Sequence, residues 1–352
     1  MSVGTSTSVH RPVTGSPERG SGPRPVTQAD PSTLGVPAED LPPWPGRTIT
    51  AGGVALHVRE TPGPADGPEV VFVHGLSGSA TNWTDLAALL APRATGLAVD
   101  LPGFGHSRPT DAQDYTPDGM ADALLCWLAG REEQRRRNDH GPGRPVHLVG
   151  NSLGGLIAMT VAARRPELVS TLTLVSPAMP DRRPDPRRLS DPRMALAMVP
   201  VLGRSARRRL AAEPLRTRAE RIVRLCFADP ERGSARRLEE LIAEHAYRAT
   251  LPWAATADGA ATRGLLGCWA GRSAWTRAAR VRVPSLVLWG GADRIVTPRL
   301  AARTAAALSD SRLLVLPGTG HIAQVERPVE VAGAVAGLWD EAGAPGEDVR
   351  DG

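Results

Sequence analysis

The sequence contains no lysine, so the 42 side chains counted as lysine or arginine are all arginines. Together with heavy use of alanine, glycine and proline, this replacement is typical of coding composition rather than of selection for a binding partner. The formal net charge is +5, and much of the excess is local, because residues 181–224 contain thirteen arginines and five acidic residues. No DNA-binding or RNA-binding motif accompanies the charge, and we therefore do not expect nucleic acid as a partner.

Cysteine is scarce as well. The three cysteines, Cys126, Cys226 and Cys268, lie far apart and form an odd set. Their spacing matches no metal-binding motif and does not indicate a disulfide framework. We therefore expect reduced structural thiols in a cytoplasmic protein, and we predict neither a metal nor a cofactor.

Long apolar runs are also absent. Residues 1–43 are rich in serine, threonine, glycine and proline, which predicts a disordered N-terminal tail without the apolar centre of a secretory signal. The longest window without an acidic or arginine residue, 145–163, contains Asn151, Ser152 and glycines, and favours a buried core element over a membrane span. Residues 343–352 are predicted to form a second polar tail.

What the sequence does contain is an alternation of short apolar runs and helical patterns. Residues 47–60 alternate apolar and polar around Gly52 and Gly53, which predicts an antiparallel hairpin. Further strands are predicted at 70–73, 96–99, 146–149, 172–175, 285–289 and 313–316. Helical patterns between them, such as 83–90 and 116–128, predict an α/β fold with a parallel sheet and helices on both faces.

One long stretch breaks this alternation. Residues 179–281 show no strand pattern, while apolar positions recur at helical spacing, as in 189–202 and 216–225. We interpret the stretch as an all-helical cap, inserted after the sixth strand and lying over the mouth of the site. The α/β core is then formed by residues 44–178 and 282–342.

The first candidate for chemistry is Ser152, at the centre of Gly150-Asn151-Ser152-Leu153-Gly154. The motif follows a predicted strand and precedes a predicted helix, which is the context that a GxSxG nucleophile requires. Glycines on both sides let the strand and the helix pack around a tight, strained turn. The turn exposes the serine hydroxyl at a helix N-terminus, where developing negative charge is favoured.

A serine nucleophile needs a base, and the base needs an orienting acid. Asp293 follows the predicted strand 285–289, and His321 follows the predicted strand 313–316. The carboxyl ends of parallel strands meet at one edge of a sheet, so both residues should lie near Ser152. The chain order serine, aspartate, histidine is the one that normally accompanies this turn. Asp181, just beyond the strand 172–175, is a rival acid that ranks second, because Pro180 and nearby arginines indicate the start of the cap.

Acyl transfer also requires two N–H groups that stabilise an oxyanion. We assign one to Leu153, directly after the nucleophile, and the other to Leu76, in the loop after the strand 70–73. His74 precedes this loop and is interpreted as a brace rather than a proton shuttle. The glycine-rich turn 100–107 is interpreted as a pocket wall. His106 in this turn is interpreted as structural, with a substrate contact as the alternative.

Five ordered motifs together resemble the α/β-hydrolase superfamily: His74-Gly75, the turn 100–107, Gly150 to Gly155, Gly290 to Asp293, and Gly320-His321. The resemblance implies an eight-stranded, mostly parallel sheet. It also implies a mechanism in which Ser152 attacks, His321 takes its proton and later activates water, and Asp293 orients His321. A serine at this position disfavours the dehalogenases and epoxide hydrolases of the superfamily, which use aspartate.

The expected substrate is a small-molecule ester or related acyl compound. Alternatives left open are carbon–carbon bond hydrolysis of ring-cleavage products, acyl transfer, cofactor-free haloperoxidase-like chemistry, and a hydrolase-like ligand-binding module. Carbon–carbon bond hydrolases usually carry Gly-Pro-Gly in the first oxyanion loop, where this sequence has Ser77-Gly78-Ser79.

The charged part of the cap supports two interpretations. Residues 194–202 are almost wholly apolar, and Arg204, Arg207, Arg208 and Arg209 follow them. One hypothesis is a weak contact between this helix and an anionic lipid surface. The favoured interpretation is that the apolar side lines the substrate pocket or covers the site, while the arginines face solvent. The oligomeric state is left open.

Overall fold

Eight strands form a single mixed sheet in the order β1-β2-β4-β3-β5-β6-β7-β8. The computed structural model describes residues 22–36, 41–137, 144–181, 212–232 and 234–343. The strands are β1 (Gly46–Ala51), β2 (Val54–Thr61), β3 (Glu69–Val73), β4 (Thr95–Val99), β5 (Val146–Asn151), β6 (Val169–Val175), β7 (Ser285–Gly290) and β8 (Ser311–Leu316). Strand β2 pairs antiparallel with β1 and β4, and the other pairs are parallel. The predicted hairpin and parallel sheet are confirmed.

Helices cover both faces of the sheet, as expected for strands that are apolar on both sides. The described helices are α1 (Thr84–Leu90), α2 (Pro117–Arg137), α3 (Leu153–Arg164), α4 (Leu215–Cys226), α5 (Ala235–Ala249), α6 (Ala254–Ala270), α7 (Ser273–Ala278), α8 (Leu300–Ala307), α9 (Ala323–Glu326) and α10 (Pro328–Gly343). One apolar core lies under α2, α3, α7 and α8, and a second lies under α1 and α10. The predicted layered α/β architecture is therefore confirmed.

Residues 22–36 correct the prediction of a disordered tail over the whole of 1–43. Arg24 pairs in parallel with Arg312 at the edge strand β8, and its N–H donates to Ser311 O at 2.8 Å. Ala29 is buried and donates to Gly333 O at 3.0 Å. A Cβ atom at Gly337 would collide with Thr27 O, so α10 accepts the segment because it presents glycine there. Backbone hydrogen bonds hold this segment, whose composition supplies few large apolar side chains to bury. Residues 1–21 and 37–40 lie outside the described part of the chain.

The described residues of the insertion between β6 and β7 form helices joined by turns, with no strand among them. Helices α4 to α7 occupy residues 215–278, and α4 packs against α5. The predicted apolar segment 194–202 and its arginines lie outside the described residues, so the lipid-contact hypothesis rests on sequence alone. Within the described ranges no helix combines the length and the apolar content needed to cross a bilayer.

One polar side chain in the sheet is held neutral. His147 on β5 is 8% exposed, and its ring stacks on Trp339 of α10 with centroids 4.3 Å apart. Its Nδ1 lies 2.8 Å from Thr171 Oγ1. Burial, assisted by the positive charge of Arg93, lowers the pKa of His147 to about 4. Between pH 6.5 and about 4, His147 therefore binds a proton in the unfolded chain but not in the folded one.

We predict that the free energy of unfolding falls as the pH drops from 6.5 towards 4, by up to about 3 kcal/mol from His147. The sign follows because the pKa is lowered by folding, so this contribution is complete above pH 6.5 and is lost through protonation of the unfolded chain. Urea unfolding of wild type and His147→Asn at pH 7.5 and 5.0 measures the effect. The variant should lose less stability on acidification than wild type, and equal losses in the two proteins would contradict the assignment.

Candidate active site

Ser152 occupies a strained turn between β5 and α3. Its backbone has φ 55° and ψ −117°, a left-handed region that non-glycine residues rarely adopt. The end of β6 and the segment after it hold this conformation, because Ser152 N–H donates to Val175 O at 3.0 Å and Ala178 N–H donates to Ser152 O at 2.9 Å. Strain of about 1–3 kcal/mol is maintained in this way at the residue predicted to be the nucleophile.

Glycines let three backbone segments meet at this turn. A Cβ atom at Gly154 would collide with the carbonyl oxygens of Val73 and His74 at the end of β3. A Cβ atom at Gly75 would lie 3.2 Å from Ser152 Cβ, so the loop after β3 passes directly beside the serine. Gly154 of the GxSxG pattern therefore allows the end of β3 to pack closely against the start of α3.

Asp293 and His321 form a hydrogen-bonded pair. His321 Nδ1 lies 2.8 Å from Asp293 Oδ2. The other carboxylate oxygen, Oδ1, accepts from the N–H groups of Ile295 at 2.8 Å and Val296 at 3.0 Å. Because both oxygens are engaged, the carboxylate has a single orientation and the imidazole plane is set by it.

Asn151 joins this pair to the serine turn. Its Nδ2 donates to His321 O at 3.2 Å and to Val175 O at 3.0 Å, from the position directly before Ser152. Ser152, Asp293 and His321 are each at most 8% exposed, so all three lie beneath the protein surface. The structure thus brings the three predicted residues to one edge of the sheet.

The rival acid, Asp181, has a different setting. Its Oδ2 lies 3.7 Å from Nη2 of Arg299, across the loop before α8. The Nδ1 of His321 carries at most one proton, and Nδ1 donates it in the 2.8 Å hydrogen bond to Asp293. The geometry favours Asp293 as the orienting carboxylate.

Both predicted oxyanion donors lie on segments that border the serine turn. Leu153 is the first residue of α3, where backbone N–H groups have no acceptor within the helix. Leu76 follows Gly75, at which an added Cβ atom would lie 3.2 Å from Ser152 Cβ. The loop closes by a hydrogen bond from Gly78 N–H to Gly75 O at 3.1 Å, with Leu76 and Ser77 at its tip.

His74 braces the two loops beside the site. Its Nε2 accepts from Leu101 N–H at 3.0 Å, so Nδ1 carries the proton and donates to Gly75 O at 2.7 Å. Burial lowers the pKa of His74, which agrees with a neutral ring in this tautomer. The geometry agrees with the interpretation of His74 as a structural brace.

The predicted pocket wall, 100–107, is organised by the buried carboxylate of Asp100. It accepts from Ala80 N–H at 2.6 Å, from His57 Nδ1 at 2.8 Å and from His106 N–H at 2.9 Å. Burial alone raises the pKa of Asp100, but these hydrogen bonds and nearby charge lower it below its usual value. An ionised Asp100 therefore connects the turn to β2 and to the segment before α1.

Glu326 is a residue that sequence reasoning missed. Its side chain is fully buried in α9, and Oε2 accepts from Gly320 N–H at 2.7 Å, directly before His321. Oε2 also accepts from Ala228 N–H at 3.2 Å, and Oε1 accepts from Asp229 N–H at 3.3 Å. Glu326 thereby fastens the histidine loop to the end of α4. A glutamate on a short helix is usually solvated. The sequence therefore offers no sign of this role beyond the position of Glu326 five residues after His321.

Cys226 also lies at this junction. The N–H of His321 donates to Cys226 O at 2.6 Å. Burial, together with the negative charge of Asp293, raises the pKa of the Cys226 thiol to about 12, so it remains protonated at neutral pH. All three cysteines are free thiols.

The described residues contain no cluster of three histidine, cysteine, aspartate or glutamate side chains that could hold a metal ion. What the site offers is a serine on a strained turn, an oriented imidazole and candidate N–H donors. Such a set suits nucleophilic attack on an acyl carbon.

Comparison with known proteins shows which families and structures this chain is similar to. A family model for the alpha/beta hydrolase fold matches residues 68–328. The dihydrolipoyllysine-residue acetyltransferase component of the acetoin cleaving system of Pseudomonas putida is 29% identical over 287 residues, or 80% of this chain. The match spans 65% of that relative's length.

Two further proteins illustrate the range of relatives. An esterase of Mycobacterium tuberculosis is 38% identical over 108 residues, which is 31% of this chain and 32% of that protein. The solved structure of a 2-hydroxy-6-oxo-6-phenylhexa-2,4-dienoate hydrolase from Rhodococcus sp. strain RHA1 superposes with a TM-score of 0.65 at 22% identity, over 84% of this chain and 100% of that one. This second likeness concerns the fold. Since the family model covers well over half of the sequence, the chain belongs to the family of proteins with the alpha/beta hydrolase fold.

Proposed function

We propose that the chain is a serine hydrolase that cleaves a carboxylic ester or related small-molecule acyl substrate through an acyl-enzyme intermediate. The observation that supports this most directly is the His321–Asp293 pair, with its 2.8 Å hydrogen bond, held beside the strained turn of Ser152. Membership of the alpha/beta hydrolase family, which includes esterases, agrees with the proposal.

In the proposed reaction, Ser152 Oγ attacks the acyl carbon while Nε2 of His321 takes its proton. Asp293 keeps the proton of Nδ1 in place and stabilises the imidazolium that forms. The N–H groups of Leu153 and Leu76 bind the oxyanion of the tetrahedral intermediate. His321 then protonates the leaving alcohol, and in the second half it removes a proton from the water that attacks the acyl-enzyme.

The serine is tested with a fluorophosphonate probe and p-nitrophenyl esters. We predict that Ser152→Ala abolishes labelling and lowers kcat at least about 1,000-fold, because no other group supplies the attacking oxygen. Ser309→Ala, the same change at an exposed serine before β8, serves as the control and should react like wild type. Labelling that survives Ser152→Ala would refute the mechanism.

A series of p-nitrophenyl esters of increasing acyl length, assayed with and without an added alcohol, defines the reaction further. A preference for one chain length measures the acyl pocket, and ester products formed from the alcohol would identify acyl transfer. A 2-hydroxy-6-oxo-dienoate assayed in parallel tests carbon–carbon bond hydrolysis, because the Rhodococcus hydrolase is named for a substrate of that class.

The orienting acid is tested by comparing Asp293→Asn with Asp181→Asn. An amide at position 293 can donate to Nδ1, which leaves the proton on Nε2 and removes the basic nitrogen that Ser152 needs. We predict a loss in kcat of at least about 100-fold for Asp293→Asn and less than about 3-fold for Asp181→Asn. Thermal unfolding of both variants controls for stability, and the reverse order of losses would assign the role to Asp181.

A further inference from the structure

The tip of the loop that carries Leu76 contacts the helical insertion. Ser77 Oγ donates to Asp258 Oδ1 of α6 at 2.9 Å. Ser77 has φ 58°, although it is not a glycine. It is the third residue of the turn closed by Gly78 N–H and Gly75 O, a position with positive φ at which turns favour glycine. The bond to Asp258 supports a conformation that serine by itself disfavours.

Asp258 is held in turn by Arg248 of α5. Arg248 is 6% exposed, and its Nη2 donates to Asp258 Oδ1 at 3.1 Å while Nη1 donates to Gly103 O at 3.4 Å. The guanidinium lies 5.0 Å above the centre of the Phe104 ring. Burying a guanidinium costs desolvation free energy, which hydrogen-bonded partners offset. Here those partners come from α6 and from the turn 100–107.

The same two helices pack directly on the core. Tyr247 of α5 stacks on His106 with ring centroids 4.1 Å apart. A Cβ atom at Gly103 would lie 3.2 Å from Ala257 Cβ of α6, next to Asp258. Asp258 is therefore carried by a segment whose position relative to the turn 100–107 is closely defined.

We propose that Asp258, held by Arg248, is a positioning residue that fixes the Gly75–Gly78 turn through Ser77 and so keeps the Leu76 N–H directed at the oxyanion. The inference rests on the proposed function. The insertion then has a part in the chemistry besides covering the site. Pairing with Arg248 also offsets the negative charge of Asp258, which would otherwise disfavour an oxyanion nearby.

The test is a double-mutant cycle with Ser77→Ala, Asp258→Ala and the double variant. The Ser77–Asp258 bond lies near the surface, so each single change should lower kcat by about 3- to 10-fold and leave KM within about 2-fold. If the two residues act through one contact, the double variant loses no more than the worse single variant. Losses that multiply, a rise in KM at constant kcat, or unchanged kcat would each overturn the inference.

A second readout separates positioning from stability. A trifluoromethyl ketone with the acyl chain of the best ester forms an oxyanion when Ser152 adds to it, whereas the corresponding alcohol forms none. Ser77→Ala should weaken inhibition by the ketone in proportion to kcat/KM and leave inhibition by the alcohol unchanged. Equal weakening of both would assign Ser77 to substrate binding and overturn the inference.

Two controls complete the design. Asp258→Asn keeps an oxygen acceptor for Ser77 and should retain more activity than Asp258→Ala. Thr256→Ala changes an exposed residue on the same helix and should match wild type. If Asp258→Ala does not fold, Ser77→Ala and Asp258→Asn still decide the question. Wild-type kcat in these variants beside an inactive Ser152→Ala refutes the inference alone, whereas an active Ser152→Ala refutes the proposed function and the inference with it.

Discussion

The strained backbone of Ser152 is the constraint on which the rest of the site depends. A left-handed serine between a strand and a helix persists only where neighbouring segments over-determine it. Val175 and Ala178 provide backbone hydrogen bonds to it, and glycines at 75 and 154 remove the side chains that would keep the segments apart. The turn that presents the serine hydroxyl is therefore held in place by the ends of β3 and β6, which lie on either side of β5 in the sheet.

Around this turn, hydrogen bonds rather than apolar contacts align the residues of the candidate site. Asn151 links the serine turn to the backbone of His321, and Glu326 links the histidine loop to the end of α4. Both side chains are buried, where each hydrogen bond is stronger and each missing one is more costly than at the surface. The histidine loop is consequently fastened from the core on one side and from the insertion on the other.

The insertion contacts both halves of the candidate site. Helix α4 ends against the histidine loop through Cys226 and the residues after it, while Asp258 of α6, held by Arg248 of α5, contacts the Gly75–Gly78 turn. The contacts between the insertion and the two loops join residues more than ninety positions apart in the chain, such as Ser77 and Asp258. No local pattern of charge or hydrophobicity distinguishes Asp258 or Glu326 from solvated residues of the same type, and they could not be found without the fold.

The sequence by itself determined the layers of the fold and the three residues proposed for catalysis. Apolar runs of strand length alternate with helical patterns, and Ser152, Asp293 and His321 each follow the end of a strand, where parallel topology leaves little choice of position. Tertiary structure alone decided that residues 22–36 run from the sheet edge at β8 across α10 to α1, because backbone hydrogen bonds hold them there and composition does not record such bonds. It likewise decided which acid pairs with His321 and which buried charges brace the loops, since both depend on distances between segments that are remote in sequence.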